Sequence, residues 1–292
     1  MIVRERPDDP PDPSDLARDT AVTPRAGAPG RYTAELSDRW NYWLPSGGAL
    51  MTVALRAARA ELATPEMRPL SATATFCAPL AEGPLEIEVE VLRRGSAASQ
   101  LRAHMWAAGE REPGLELTAI FGRDREGFDV RDVEPPPAKP PDELPRFHHS
   151  RWVPPFSHNF EYRRAIGGEW WREGASAGGP ARSGYWYRYR VPQRLPSGEL
   201  DPFALPPIAD TMPGALFQKI GPEARRTVAP SLDLTVHFLE DTRREWVLTY
   251  AHARRARAGY ATADIELWDD EGRLLAYATQ MMILRTRRAR RA

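Results

Sequence analysis

Set against itself at an offset of 162 residues, the chain writes one order of elements twice, which points to a fold assembled from two like units; the alternative is an unrelated α+β enzyme whose halves match by accident. In the first half, LPSGGALMTVALRAARAEL (44–62) has apolar residues at helical spacing with almost no β-branched interruption, and predicts a helix. Strands are expected at SATATFCA (71–78), LEIEVEVL (85–92), SQLRAHMWAAG (99–109) and LELTAIFGR (115–123). The second of these puts Leu85, Ile87, Val89 and Val91 on one face and three glutamates on the other, the pattern of a half-buried strand. The second half repeats the order. ADTMPGALFQKI (209–220) predicts a helix, followed by strands at SLDLTVHFL (231–239), WVLTYAHARR (246–255), YATADIELW (260–268) and LLAYATQMMILR (274–285), with DDEG as a hairpin turn. Ahead of that helix, NFEYRRAI and YWYRYRVP form a further strand pair. The offset lays Trp106 on Trp268, Phe76 on Phe238, Pro45 on Pro207 and Arg123 on Arg285. These identities are few; the weight rests on helix meeting helix and strand meeting strand. A long helix wrapped by a bent antiparallel sheet is an α+β layer design, and two such units can join their sheets edge to edge.

Proline marks the seams. The chain has 29 prolines in 292 residues, roughly twice the usual ~5%. Residues 1–28 read as a flexible arm and residues 132–148 (DVEPPPAKPPDELPRFH) as an extended linker. The expected division is therefore a first domain over 29–131, a second over 149–287, and a short basic tail at 288–292. Forty basic residues balance 40 acidic ones, which argues against a nucleic-acid partner. No run approaches the ~18 apolar residues of a membrane span, and the N-terminus lacks the apolar stretch of a secretory signal. A cytoplasmic protein is expected. The one cysteine, Cys77, excludes an intrachain disulfide and a multi-thiolate metal site, and sits where a core residue is expected.

WNYWLPSGGALMTVALRAA, SATATFCAP, EVEVLRRGSAAS, SLDLTVHF and ATQMMILR, taken in that order and spacing, resemble the acyl-CoA thioesterase II group of double-hotdog proteins from about Tyr32 to Arg285. The resemblance implies two tandem hotdog domains and hydrolysis of an acyl-CoA, with no metal or redox cofactor. It also implies a site made of an aspartate at the start of the second-half helix, a serine or threonine before the next strand, and a glutamine on the last strand. The matching positions are Asp210 in PPIADTM, Ser231 in APSLDLT and Gln280 in YATQMMI. Threonine is common at the middle position; Ser231 keeps the hydroxyl.

The chemistry can be argued from the residues themselves. Thioester hydrolysis needs an activated water and donors for the developing oxyanion. A carboxylate at a helix N-terminus sits beside free N–H groups and the positive end of the dipole, so Asp210 could deprotonate water while Ser231 and Gln280 orient it. Each residue also has an ordinary reading: Asp210 as a helix N-cap, Ser231 as a strand-entry residue, Gln280 as a strand residue with a satisfied amide. Gln280 is the least ordinary, because an amide within LLAYATQMMILR has to find partners. At the 162-residue offset the first-half counterparts are Gly48, Pro69 and Thr118, so the first half is catalytically empty and one site per chain is expected. Gly47 and Gly48 would let backbone approach a ligand closely.

Other signals are weaker. Arg254, Arg255 and Arg257 form a basic group suited to the phosphates of coenzyme A, although such runs are usually solvated surface. Trp40, Tyr42 and Trp43 would line an acyl pocket or pack in the core. Asp233 and His237, on the polar face of SLDLTVHF, are the alternative acid or base. Gly174-Ala175-Ser176-Ala177-Gly178 matches a nucleophile elbow formally but lies in a glycine-rich hairpin loop. His148-His149, with His158 nearby, lacks the spacing of a metal site. Two rivals stand beside the hydrolase: a non-catalytic acyl-CoA or acyl-carrier binding protein, and a hotdog hydratase. The hydratase needs a histidine five residues after the aspartate, where this chain has Ala215. Sheet edges favour a homo-oligomer.

Overall fold

The computed structural model describes residues 12–147, 153–170 and 178–286. In chain order, the first half contains α1 (Leu16–Asp19), β1 (Val22–Pro24), β2 (Arg31–Leu36), α2 (Gly47–Leu62), β3 (Arg68–Phe76), β4 (Gly83–Arg94), β5 (Ala98–Ala107) and β6 (Leu115–Gly122). The second half contains β7 (Phe160–Ile166), β8 (Arg182–Tyr189), α3 (Leu205–Ala209), α4 (Pro213–Ile220), β9 (Thr227–Val228), β10 (Asp233–Phe238), β11 (Val247–Arg257), β12 (Tyr260–Asp269), β13 (Leu274–Ile283) and β14 (Arg285–Thr286).

Twelve strands make one sheet in the order β1-β2-β4-β5-β6-β3-β10-β13-β12-β11-β8-β7, and β9 with β14 forms a small separate ribbon. Every pairing is antiparallel. The sheet is α+β in class, with its helices against one face. Read from either end, it runs through equivalent strands to the middle, where β3 pairs with β10. There Thr73 lies opposite Thr235, and their Oγ1 atoms are 2.9 Å apart. These two residues are 162 apart in sequence, so an approximate two-fold axis passes between them. The irregularities repeat too: the register slips between Val91 and Arg93 in β4 and between Ala253 and Arg255 in β11, at equivalent places.

The main core lies between this sheet and the helices. α2 is buried almost all round (Ala49, Leu50, Met51, Val53, Ala54, Leu55, Ala57 and Ala58), as expected of a helix held between a sheet and another helix. It packs on β4, β5 and β6 and meets α3 at its N-terminal end. A second apolar group (Trp186, Leu248 and Trp268) lies on the opposite sheet face, since Leu267 of the main core precedes Trp268 on β12. Ala138 and Leu144 of the proline-rich segment pack over it, and Trp186 Nε1 donates to the Lys139 carbonyl at 2.9 Å.

Three expectations are corrected. The second-half helix is not continuous over 209–220. A turn at Asp210–Met212 separates α3 from α4, where Pro213 starts a new helix and has no N–H to continue the old one. Residues 12–28, expected within a flexible arm, are docked: Leu16 is buried, Ser14 N donates to Asn159 Oδ1 (2.9 Å), and Trp40 Nε1 donates to Asp19 Oδ2 (3.0 Å). Cys77 is exposed rather than in the core. Among the described residues, no helix is long and apolar enough to cross a membrane.

Candidate active site

Asp210 follows α3, its N–H donating to the Pro206 carbonyl at 3.0 Å. It therefore ends a helix instead of starting one, contrary to expectation. The helix N-terminus it faces belongs to the other half of the chain. Asp210 Oδ2 accepts the backbone N–H of Gly48 (3.1 Å) and the hydroxyl of Ser46 (3.0 Å), at the start of α2. Ser46 is the N-cap of α2, yet its side chain makes no capping bond to its own helix. The carboxylate takes that place and caps α2 from across the molecule.

The other oxygen faces the strands. Asp210 Oδ1 accepts the Ser231 hydroxyl (3.1 Å) and Gln280 Nε2 (2.7 Å), and the same Nε2 lies 2.5 Å from Ser231 Oγ. Ser231 is placed by an isolated bridge to Met282, flanked by Leu232 N to the Met281 carbonyl (2.7 Å) and Ile283 N to the Pro230 carbonyl (3.0 Å). Gln280 lies on β13 opposite Ala263 and points to the helix side. An acceptor-only carboxylate selects the NH₂ end of the amide, which leaves Gln280 Oε1 buried with no donor among the described residues. Asp210 is 6% exposed and Gln280 1%.

Burial pushes the Asp210 carboxyl above its ordinary range. The Gly48 amide, Ser46, Ser231 and Gln280 pull in the opposite direction without cancelling the rise. A carboxylate with four donors and a raised proton affinity is equipped to hold a proton taken from water. The positive end of α2 lies beside it.

The structure thus brings Asp210, Ser231 and Gln280 together and leaves the other candidates apart from them. Arg254 of β11 is held by Asp264 of β12 in a two-bond ion pair. Asp264 follows Ala263, Gln280's partner, so this pair lies on the opposite face of the sheet. Arg255 and Arg257 pair with Thr262 and Tyr260, are exposed, and face the same way. Gly48 does not open space for a ligand. A Cβ there would lie 2.2 Å from the Pro206 carbonyl oxygen, so the room is filled by the chain's own backbone. Gly47 is backed by the Phe76 ring. Asp233 Oδ1 accepts Met281 N (2.8 Å), and His237 is exposed and stacks on Tyr277. Trp40 is core, edge-on to Phe156 and Phe160. Tyr42 stacks on Phe156 with centroids 4.5 Å apart, and Trp43, 51% exposed, tips a loop closed by the Asn41–Pro45 bridge, just ahead of Ser46. His148-His149 and residues 174–177 of the formal elbow lie outside the described residues. Ser46 is the residue that sequence reasoning missed. Its only local signal, a serine before a helix, is that of a common cap.

The comparisons with known proteins give the family. The acyl-CoA thioesterase C-terminal domain matches residues 132–284 and the N-terminal domain matches residues 36–122. No curated protein matches the chain in sequence. Among solved structures, a conserved protein of unknown function with a hot dog fold from Alicyclobacillus acidocaldarius is 25% identical, with a TM-score of 0.79 over 94% of this chain and 98% of that one. The acyl-CoA thioesterase II TesB2 of Mycobacterium marinum is 21% identical, with a TM-score of 0.73 over 94% of this chain and 99% of that one. The tesB protein of Mycobacterium avium subs paratuberculosis is 19% identical, with a TM-score of 0.72 over 92% of this chain and 98% of that one. With its second half matched by the C-terminal thioesterase domain, much of its first half by the N-terminal one, and a hotdog fold, the chain belongs to the acyl-CoA thioesterase family and is a thioester hydrolase.

Proposed function

We propose that this chain hydrolyses an acyl-CoA to the free acid and coenzyme A by direct attack of water. It would do so with two tandem hotdog units, 29–131 and 149–287, joined by residues 132–148. The observation that carries the reading is the buried Asp210 carboxylate, whose Oδ1 is held between Ser231 and Gln280. Asp210 takes a proton from water as the oxygen attacks the thioester carbonyl. Ser231 and Gln280 orient that water, and Gln280 Oε1 is the buried acceptor for its second hydrogen. The positive N-terminal end of α2 supports the negative charge that develops. The tetrahedral intermediate collapses with loss of the thiolate, which takes up the proton. Loop 41–45, with Trp43 exposed beside the site, is suited to meet the acyl chain. A cytoplasmic homo-oligomer that pairs through its sheet edges belongs to the same proposal.

The test is free-thiol release from short- to long-chain acyl-CoAs by wild type and Asp210→Ala. Loss of a general base should lower kcat by about 10²–10⁴-fold with the fold intact. Unchanged turnover in a folded Asp210→Ala variant would move the base elsewhere.

A further inference from the structure

The chemistry proposed above draws on the second half, yet two of the four donors on Asp210 come from the first. The backbone of Gly48 is one. Ser46 is the other, with 1% exposure and its hydroxyl 3.0 Å from Asp210 Oδ2. At an ordinary N-cap a serine hydroxyl accepts a hydrogen bond from the second or third amide of its helix. Here the second amide, that of Gly48, is already given to Asp210 Oδ2. The Ser46 hydroxyl is released from capping and turned round to donate to the same carboxylate oxygen.

We propose that Ser46 is a positioning residue of the hydrolytic site, whose hydroxyl clamps Asp210 Oδ2 onto the start of α2 so that Oδ1 is presented to water. This rests on the reading of Asp210 as the base. Oδ2 is fixed by two donors on a buried helix, while Oδ1 shares its donors with the groups that orient water. With Oδ2 released, the carboxylate could rotate about its Cβ–Cγ bond and present either oxygen to Ser231 and Gln280. The groups facing Asp210 are Ser46 and Gly48 from α2, Ser231 from the entry to β10, and Gln280 from β13. Tyr42, from the preceding loop, couples to it through charge, but burial holds that phenol far above the working range and neutral. Tyr187 of β8 is bonded to Thr211, the next residue, and stays neutral for the same reason. None of these facing groups carries a competing charge, so the loss of one donor should be visible in the titration of Asp210.

The experiment is thiol release against pH for wild type, Ser46→Ala, Ser46→Gly and Ser46→Thr, with melting temperatures measured alongside. A hydrogen bond to a charged group corresponds to about 10- to 100-fold, so kcat should fall by that factor in Ser46→Ala with KM unchanged. The acid limb of kcat/KM should move to higher pH, because a donor to the ionised form is gone. Ser46→Gly, which keeps a good capping residue, should give the same signature, and Ser46→Thr should restore both kcat and the limb. Wild-type kcat and an unmoved limb in Ser46→Gly would overturn the proposal. So would a loss of kcat that follows a fall in melting temperature while the limb stays in place, since that is the mark of a purely structural serine. Asp210→Asn run in parallel separates the two ideas: if it retains full turnover, the base assignment fails, whatever Ser46 does.

Discussion

Replacing Gly48 with alanine puts the packing of the two halves to a direct test, because two principles give opposite signs. By helix propensity, a glycine in α2 changed to alanine should stabilise the helix by up to about 1 kcal/mol. In the structure the added Cβ would lie 2.2 Å from the Pro206 carbonyl oxygen, 2.5 Å from its carbon and 2.6 Å from Pro207 Cα. Ordinary contact begins near 3.4 Å, so α3 would have to move by roughly 1 Å. The obstacle is backbone, stiffened by two prolines, and it cannot turn aside as a side chain would. The same segment is tied to α2 by Thr52, whose hydroxyl bonds the carbonyls of Gly48 (3.0 Å) and Phe203 (2.9 Å). Overpacking of this kind costs about 1–3 kcal/mol, several degrees in melting temperature for a chain of this size. Asp210 rides on the end of α3, so a shift of ~1 Å should also lower kcat by about 10²-fold. Gly47→Ala is the comparator, since the three atoms nearest its Cβ would all belong to the Phe76 ring, a side chain that can swing. Thermal melts and thiol release on both variants decide the matter. A Gly48→Ala protein that melts at or above wild type with full turnover would refute the close crossing of α2 and α3.

Two further outcomes follow from charge. Burial raises the Asp210 carboxyl, and a base must be ionised, so kcat/KM should decline as pH falls through a value above the ordinary carboxylate range; an acid limb at or below pH 3.8 would contradict this. Glu161 is the opposite case: burial alone would raise it, but Arg188, Arg146 and Arg163 outweigh burial and bring it down to about 2. A carboxyl lowered from 4.5 in this way stabilises the fold above 4.5 and loses that contribution as pH falls towards about 2. The melting-temperature gap between wild type and Glu161→Gln should therefore be wide at pH 7 and close across that window; a gap independent of pH would rule the cluster out as its cause.

Much of the strand content was legible because it depends on local pattern. The alternation in LEIEVEVL and the apolar run in LLAYATQMMILR each specify a strand without knowledge of the neighbours. Gln280 could be picked out for the same reason, as an amide with nowhere to go inside an apolar strand. The break in the second-half helix was less legible: Pro213 was visible, but Asp210 looked like the start of a helix because the helix start it faces, at Ser46 and Gly48, lies 164 and 162 residues away. Ser46 was illegible altogether. Only the crossing of α2 against α3 turns a routine cap into a donor for a carboxylate of the other half.

That crossing also bears on why the halves differ. Under the approximate two-fold axis between Thr73 and Thr235, residue 48 is the equivalent of residue 210, and the two are in contact. Identical halves would set two aspartates against each other in a buried place, where like charges disfavour joint ionisation. A Cβ at position 48 would also strike the backbone of Pro206 and Pro207. One position can carry the carboxylate only if the other is a glycine that gives up its amide. Pro69 and Thr118, the counterparts of Ser231 and Gln280, then have no carboxylate to hold. On this argument the first half is not a failed copy of the second. Its helix start supplies the two donors that hold Asp210 Oδ2, and the site is complete only with both halves present.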